Sequence, residues 1–226
     1  MPALEPGDVA VSLYLIGDAG KPDTVDEPVL AALHRDAGSR AGERVILFLG
    51  DNAYPRGLPV PGQPGRRAAE RSLAAQVEAI TATGSRGYFV PGNHDYRAHD
   101  IKDEPYLYLK TFGPQRYIDE QSTWAPEKRT YGGASPATPT FAWAGMNTYH
   151  RFNAGGYKFL NIALQYDPDD NDLKWAQQII NENPGLPTIV TSQLMPELLR
   201  NPTGATPPPN RELHNCKPKT VDTDGH

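Results

Sequence analysis

Runs of apolar residues alternate with amphipathic segments along most of the chain. Five consecutive apolar residues at 45–49 predict a short strand buried on both faces, and glycine or turn residues follow each of the predicted strands. Strands that alternate with helices are typical of an α/β fold. The predicted strands cover 10–16, 45–49, 87–90, 157–164 and 187–191, and the predicted helices cover 28–37, 66–83 and 169–183.

Capping signals mark the ends of the predicted helices. Thr24 or Asp26 precedes the first helix and suits an N-cap, and Gly38 is expected to end that helix. Gly84 is the corresponding stop for the second helix. The strand–helix–strand unit over 10–49 is expected to be right-handed.

Two segments show no regular period. Residues 55–65 are dense in Pro and Gly and predict a rigid loop, and residues 97–156, rich in aromatics, Gly and Pro, predict an excursion of loops and hairpins. Within it, His150 lies among aromatic residues in a predicted strand, which favours a structural role. We predict one domain over 1–199 and an irregular tail, or a truncated end of the domain, over 200–226.

Composition and charge narrow the classes of function. The 226 residues suffice for one domain with a sizeable core, and the net charge of −5 argues against nucleic acid or an anionic membrane as the main partner. The single cysteine, Cys216, excludes an intrachain disulfide. No membrane span or signal peptide is visible, so the expected location is the cytoplasm, or the periplasm or exterior if a leader has been removed.

Polar residues with metal-binding chemistry follow three of the predicted strands, and each of these strands is expected to be buried and to be followed by a glycine. Asp18 follows the first, Asp51 the second with Tyr54 three residues later, and Asn93-His94-Asp95 the third. Ligands bind open α/β sheets at the carboxyl ends of strands, and carboxylate, amide and phenolate oxygens suit hard cations. One carboxylate shared by two cations gives a two-metal centre of the kind that catalyses displacement at phosphorus.

The three motifs together resemble those of the calcineurin-like metallophosphoesterases. They read Gly-Asp-Ala-Gly at 17–20, Gly-Asp-Asn-Ala-Tyr at 50–54 and Gly-Asn-His-Asp at 92–95, which is closest to the purple acid phosphatase pattern. Each motif is weak alone, whereas three in order over roughly residues 10–195 are strong. The resemblance implies a four-layer α/β/β/α sandwich of two mixed sheets.

The resemblance also implies a ligand set for two metal ions, drawn from iron, zinc and manganese. Asp18 would bind the first metal, Asp51 would bridge both, and Tyr54 would bind the first as phenolate, which in the family favours Fe(III). Asn93 would bind the second metal. The implied nucleophile is a metal-bound hydroxide, and the implied partner is a small-molecule phosphate ester.

Three further residues receive roles at the substrate. His94 would face the substrate and either stabilise the transition state or protonate the leaving group. Asp95 would orient the His94 ring. Arg56 follows the Tyr54-Pro55 pair and is a candidate for holding a phosphate oxygen, against the simpler interpretation of a solvated loop arginine.

The chain departs from the family pattern at the last two motifs. Gln193 stands where the fourth motif has its ligand histidine, and a Gln carbonyl suits Ca²⁺ or Mg²⁺ better than Zn²⁺ or Fe²⁺. The only candidate for the fifth motif is Gly225-His226, where the sequence given stops, so His226 is a weak candidate ligand. A chimeric, designed or truncated chain is one interpretation.

The leading hypothesis is metal-dependent hydrolysis of a phosphate ester, as phosphatase or phosphodiesterase, with activity impaired by the missing histidines. The alternative is an inactive member of the same fold that serves as a binding or scaffold protein. A one-metal phosphotransferase is disfavoured because Gly20 and Ala53 stand where its second carboxylate belongs, and no Gly-x-Gly-x-x-Gly follows a strand as dinucleotide binding requires.

Overall fold

A computed structural model of the protein describes residues 9–21, 27–95, 106–137 and 144–193. All of them belong to the first of the two units into which the chain divides, Met1–Leu194. Across these ranges, every helix is too short or too polar to cross a lipid bilayer. The strands are β1 (Val11–Ile16), β2 (Glu43–Phe48), β3 (Arg86–Phe89), β4 (Tyr131–Ala134), β5 (Thr148–Ala154), β6 (Tyr157–Ala163) and β7 (Thr188–Thr191), and the helices are α1 (Pro28–Ser39), α2 (Arg66–Thr83), α3 (Tyr106–Phe112), α4 (Pro114–Glu120) and α5 (Asp170–Glu182).

The strands form two sheets. The first has the order β1-β2-β3, and the second has the order β4-β5-β6-β7. In the second sheet β4, β5 and β6 pair antiparallel and β7 joins β6 in parallel, so this sheet is mixed as predicted. The described strands of the first sheet are all parallel. Their carboxyl ends therefore meet at one edge.

Three apolar clusters separate four layers of structure. Alternate residues of β2 enter two different clusters, one shared with α1 and α2 and one shared with the second sheet, as the pleat of a strand requires. The third cluster joins the second sheet to α5. The predicted α/β class is therefore confirmed. Representative members are Leu30 and Phe48 of the first cluster, Leu47 and Phe152 of the second, and Ile162 and Ile179 of the third.

The strand before the first motif differs from its prediction. β1 is the outer strand of the described sheet, and its Leu13 and Leu15 are 42% and 56% exposed. By contrast, the last four residues of β2 are all buried. The prediction that a buried strand precedes each motif is thus correct for β2 and β3. It is wrong for β1, because β1 pairs on one side only within the described residues.

The start of α1 uses a cap other than the two predicted. The Glu27 carboxylate accepts hydrogen bonds from the first free N–H groups of the helix at 3.0 and 3.1 Å, which satisfies donors that have no partner inside the helix. Thr24 and Asp26, the predicted caps, lie outside the described residues.

The prediction that Gly38 ends α1 is wrong. The helix includes Gly38 and is followed by an extended cap residue, Arg40. The Arg40 guanidinium binds the Asp36 carboxylate, one turn earlier, at 2.7 Å, and this contact supports the last turn. Helix α2 has the predicted bounds, and Gly84 caps it in the left-handed conformation with φ 62°.

The segment 97–156 contains more regular structure than the predicted loops and hairpins. Its described residues include two seven-residue helices, α3 and α4, as well as β4 and β5. Tertiary packing favours helix here over weak local signals, since Phe112 of α3 stacks on Phe89 of β3 with ring centroids 3.9 Å apart. His150 lies in β5 and is fully buried, as its predicted structural role requires.

Polar contacts join the two sheets at the end opposite the motifs. The Glu43 carboxylate accepts from the Gly155 N–H at 2.8 Å, and Arg86 donates to the Asn153 carbonyl at 2.9 Å. Glu43 and Arg86 are the first residues of β2 and β3. The sheets are therefore tied together at the amino ends of these strands.

Candidate metal site

The two aspartates of the first motifs occupy matching positions in the backbone. Asp18 follows β1 and Asp51 follows β2, and both have left-handed conformations with φ of 55° and 54°. Asp tolerates this region better than most non-glycine residues, and such conformations concentrate at functional sites. The Asp18 N–H also donates to the Gly50 carbonyl at 3.2 Å, so the two turns lie side by side.

Both carboxylates converge on one phenol. The Tyr54 hydroxyl lies 2.8 Å from Asp18 Oδ1 and 2.9 Å from Asp51 Oδ2. A single hydroxyl proton can serve only one carboxylate at a time. Burial raises the pKa of the Tyr54 phenol above its ordinary value, and the hydrogen bond to Asp18 is the next largest cause. The predicted ligands of the first metal are thus gathered around a shared point.

Motif glycines let the loops approach this closely. A Cβ on Gly92 would overlap the backbone N and Oδ1 of Asp51 and would lie 2.7 Å from Gln193 Nε2. A Cβ on Gly20 would overlap the Asp51 carbonyl. These are places where one backbone packs against another with no space for a side chain.

The third motif forms a 3-10 helix, Asn93–Asp95, directly after β3. The His94 N–H donates to Asp51 Oδ1 at 2.9 Å, and the ring packs on Tyr54 with centroids 4.4 Å apart. Nδ1 of His94 lies 2.7 Å from the Pro55 carbonyl. Because a carbonyl only accepts, Nδ1 carries a proton, which leaves Nε2 on the side of Asp51 Oδ2 at 3.9 Å.

Asp95 joins the loops that follow β2 and β3. The residue is 6% exposed, and its carboxylate accepts four hydrogen bonds of 2.8–3.1 Å. Burial raises the pKa of Asp95 to about 7, although the donors around it act in the opposite direction. The orientation of His94 by Asp95 stays a prediction, and the contact described for the imidazole ring is with the Pro55 carbonyl. The four donors are the N–H groups of Asn52, Ala53 and Gly92 and the side-chain amide of Asn52.

Gln193 reaches the site as its motif position predicts. It follows β7 of the second sheet, and its Oε1 accepts from the Asn93 N–H at 2.8 Å. Its Cβ lies 2.9 Å from the position that a Cβ on Gly50 would take. The carbonyl that could replace a histidine ligand is thus engaged by backbone. The contact described for Asn93 is likewise through its N–H.

The described donor set is more complete for the first metal ion than for the second. Across the described ranges, no three His, Cys, Asp or Glu side chains form a group that could hold a metal. Two carboxylates and a phenol do converge, and these oxygens are suitable ligands for a hard cation. Arg56 is exposed on the loop after Pro55, and its substrate role stays a prediction. His226 lies outside the described residues.

Sequence reasoning missed three residues at the site. Asn52 is fully buried, and its side-chain amide donates to the Val90 carbonyl at 2.8 Å, while its backbone carbonyl accepts from the Gln76 side chain of α2 at 2.8 Å. Lys21 places its Nζ 5.6 Å from the centre of the Tyr54 ring. Lys21 could have been found as the first residue after the Gly-Asp-Ala-Gly motif. Gln76 gives no such signal, because its partner is distant in sequence.

Comparison with known proteins agrees with this geometry. No curated protein matches the sequence significantly. A family model described as calcineurin-like phosphoesterase matches residues 12–220, which include all three motifs and Gln193. Proteins of this family carry out metal-dependent hydrolysis of phosphate esters. The chain therefore belongs to the calcineurin-like phosphoesterase family.

Proposed function

We propose that the protein hydrolyses a small-molecule phosphate ester in an acid-phosphatase-like, metal-dependent reaction at this site. The observation that carries the proposal is the convergence of Asp18 and Asp51, from two neighbouring strand ends, on the Tyr54 hydroxyl at 2.8 and 2.9 Å. Two carboxylates this close repel each other unless a cation or a proton lies between them. Both the charge of the two carboxylates and the type of their ligand atoms therefore support the proposal of a cation site.

Asp18, Asp51 and Tyr54 would hold the first metal ion, and Asp51 with Asn93 would hold the second. Iron, zinc or manganese are the proposed metals, with the oxygen-rich first site best suited to a hard ion such as Fe(III) or Mn²⁺. When bound, the metals supply Lewis-acid polarisation of the phosphate and stabilise the attacking and leaving oxygens. Gln193 limits the affinity of the second metal site, because its Oε1 already accepts a hydrogen bond from the Asn93 N–H.

His94 is the proposed proton donor to the leaving group. The Pro55 carbonyl fixes the proton on Nδ1 at a distance of 2.7 Å, so the other ring nitrogen is directed by a rigid contact and not by a flexible side chain. That nitrogen lies 3.9 Å from Asp51 Oδ2, on the side where the phosphate would lie. In its protonated form, His94 can donate from Nε2 to the leaving oxygen.

Two cations border the site and suit an anionic substrate. Lys21 lies over the Tyr54 ring at 5.6 Å from its centroid, and Arg56 is exposed on the loop after Pro55. Either can donate a charge-assisted hydrogen bond to a phosphate oxygen. We propose that they attract the substrate phosphate and hold it before hydrolysis.

The test is turnover of a generic aryl phosphate. Protein loaded with Fe, Zn²⁺ or Mn²⁺ is assayed on p-nitrophenyl phosphate and its diester, beside Asp51→Asn and the exposed control Asp170→Asn. We expect Asp51→Asn to lose at least about 100-fold in kcat/KM, since removal of one main electrostatic group typically costs 10²–10³-fold, and Asp170→Asn to match the wild type. Equal activity in all three proteins would exclude catalysis at this site.

The observation that Gln193 is used by the backbone favours a second candidate, a non-catalytic binding or scaffold protein with the same fold. This candidate predicts a folded protein with no turnover under any metal. Metal analysis separates the two without an activity assay: the catalytic proposal requires metal that is lost in Asp51→Asn, whereas a scaffold that has abandoned the site retains none in either protein.

A further inference from the structure

A second recess lies at the end of the sheets opposite the candidate metal site. It has a volume of about 960 Å³ and extends from the start of β3 to the loop around the 3-10 helix Pro126–Lys128. Arg86 in its wall is the first residue of β3, whereas Asn93 follows the carboxyl end of the same strand. The recess is therefore a separate feature from the metal site.

The recess concentrates positive charge in a chain whose net charge is −5. Among its described lining residues, Glu127 is the one acid against five cations. One of these cations, Arg86, forms an ion pair with Glu43 at 3.2 Å. No ion pair is described for the other four within the same ranges. The cations are Arg86, Lys128, Arg129, Arg151 and Lys158.

Two of the guanidinium groups are held in place by neutral partners. Arg129 donates to the carbonyls of Trp124 and Ser122, each at 3.1 Å. Arg151 donates to the Tyr149 hydroxyl at 2.9 Å and lies over the same ring at 5.2 Å. Neutral acceptors fix the geometry of these groups but do not cancel their charge. An anion would therefore meet positioned donors without having to order them first.

We propose that this recess binds a small compound with several linked phosphate groups, such as tripolyphosphate or a nucleoside triphosphate. Its volume lies within the range of roughly 300–1,000 Å³ for small-molecule sites. The four cations without an ion pair in the described part of the chain match three to four negative charges, and the planar guanidinium fork fits phosphate oxygens. Half-buried Trp124 in the wall offers a surface on which a nucleobase can stack.

The test measures binding by calorimetry, with a chelator present so that the metal site does not contribute. Tripolyphosphate and ATP are titrated at an ionic strength of about 0.15 M, where surface attraction alone is largely screened. Lys128→Glu/Lys158→Glu reverses two exposed charges of the recess, and Arg35→Glu/Lys174→Glu makes the same change in charge on α1 and α5. Lys128→Gln/Lys158→Gln is a milder second variant.

We expect saturable binding whose affinity falls at least about tenfold in Lys128→Glu/Lys158→Glu, because charged hydrogen bonds are lost. Lys128→Gln/Lys158→Gln should weaken binding less, and the control Arg35→Glu/Lys174→Glu should not weaken it. Asp51→Asn should bind like the wild type, so a failure of the proposed phosphatase activity leaves this result unaffected. Tighter binding of ATP, with a fluorescence change lost in Trp124→Phe, identifies a nucleotide, and equal affinities identify the phosphate chain.

Three results would overturn the proposal. The first is the absence of saturable binding at this ionic strength. The second is equal affinity in the wild type and in Lys128→Glu/Lys158→Glu. The third is displacement of tripolyphosphate by a short poly-glutamate peptide at equal charge concentration, which would show that the recess recognises charge and not phosphate.

Discussion

Replacement of Asp95 by asparagine tests whether this residue serves the loops or the histidine. The residue is 6% exposed, and its carboxylate accepts four hydrogen bonds from the turns after β2 and β3. Oδ1 accepts two of them and Oδ2 the other two. Asparagine keeps the size of the side chain but replaces one acceptor with an NH₂ group, so either orientation of the amide leaves two donors facing another donor.

The expected cost follows from those two donors. A buried donor left without an acceptor costs about 1–3 kcal/mol, so Asp95→Asn should lower the free energy of unfolding by about 3 kcal/mol. For a domain of this size, about 1 kcal/mol shifts Tm by roughly 2–4 °C, which gives an expected drop of about 6–12 °C. The exposed Asp170→Asn should change the free energy of unfolding by less than about 0.5 kcal/mol.

Urea unfolding and thermal melting at about pH 8, above the pKa of Asp95, provide the measurement. A stable Asp95→Asn protein whose turnover alone falls would support orientation of His94 by Asp95 and would refute the structural role. A destabilised Asp95→Asn protein whose turnover keeps the pH profile of the wild type would support the structural role. Comparison with His94→Asn gives the profile expected when the ring itself is removed.

Two further predictions concern packing and pH. Gly92→Ala should lower the free energy of unfolding by about 1–3 kcal/mol and weaken metal binding, because its Cβ would overlap Asp51; Gly38→Ala, in open space on α1, should instead raise it by about 0.5–1 kcal/mol, and equal losses in both would contradict the packing argument. Burial lowers the pKa of His150 from 6.5 to about 3, so the unfolded chain takes up a proton that the folded one excludes. Stability present above about pH 6.5 should therefore fall by about 1.4 kcal/mol per unit on acidification toward pH 3, and a His150→Phe protein with an unchanged slope in denaturant titrations would rule this out.

The sequence predicts those parts of the fold that are encoded by local periodicity. Helix α2 has the predicted bounds because its apolar spacing and Gly84 both act within one segment. Helix α3 was missed because it is seven residues long and is stabilised by the stack of Phe112 on Phe89, which no local pattern records. The cap Glu27 was missed because Glu is not among the preferred N-cap residues.

For the candidate site as well, the sequence predicts some features and not others. Asp18, Asp51 and Gln193 could be placed at one edge because each follows a strand whose end faces that edge. The partners of each residue could not be predicted, because they depend on how loops distant in sequence meet. Asp95 shows this most clearly, since its donors come from residues 52, 53 and 92 and not from the neighbouring histidine.

The hydrogen bond from the Asn93 N–H to Gln193 Oε1 joins a loop of the first sheet to a loop of the second. The Glu43–Gly155 and Arg86–Asn153 contacts fasten the same two sheets at the opposite end. Any separation of the sheets at the site must therefore expose one particular amide. The exchange rate of the Asn93 amide proton thus reports how often this interface opens, a quantity that a histidine at position 193 would change along with the metal chemistry.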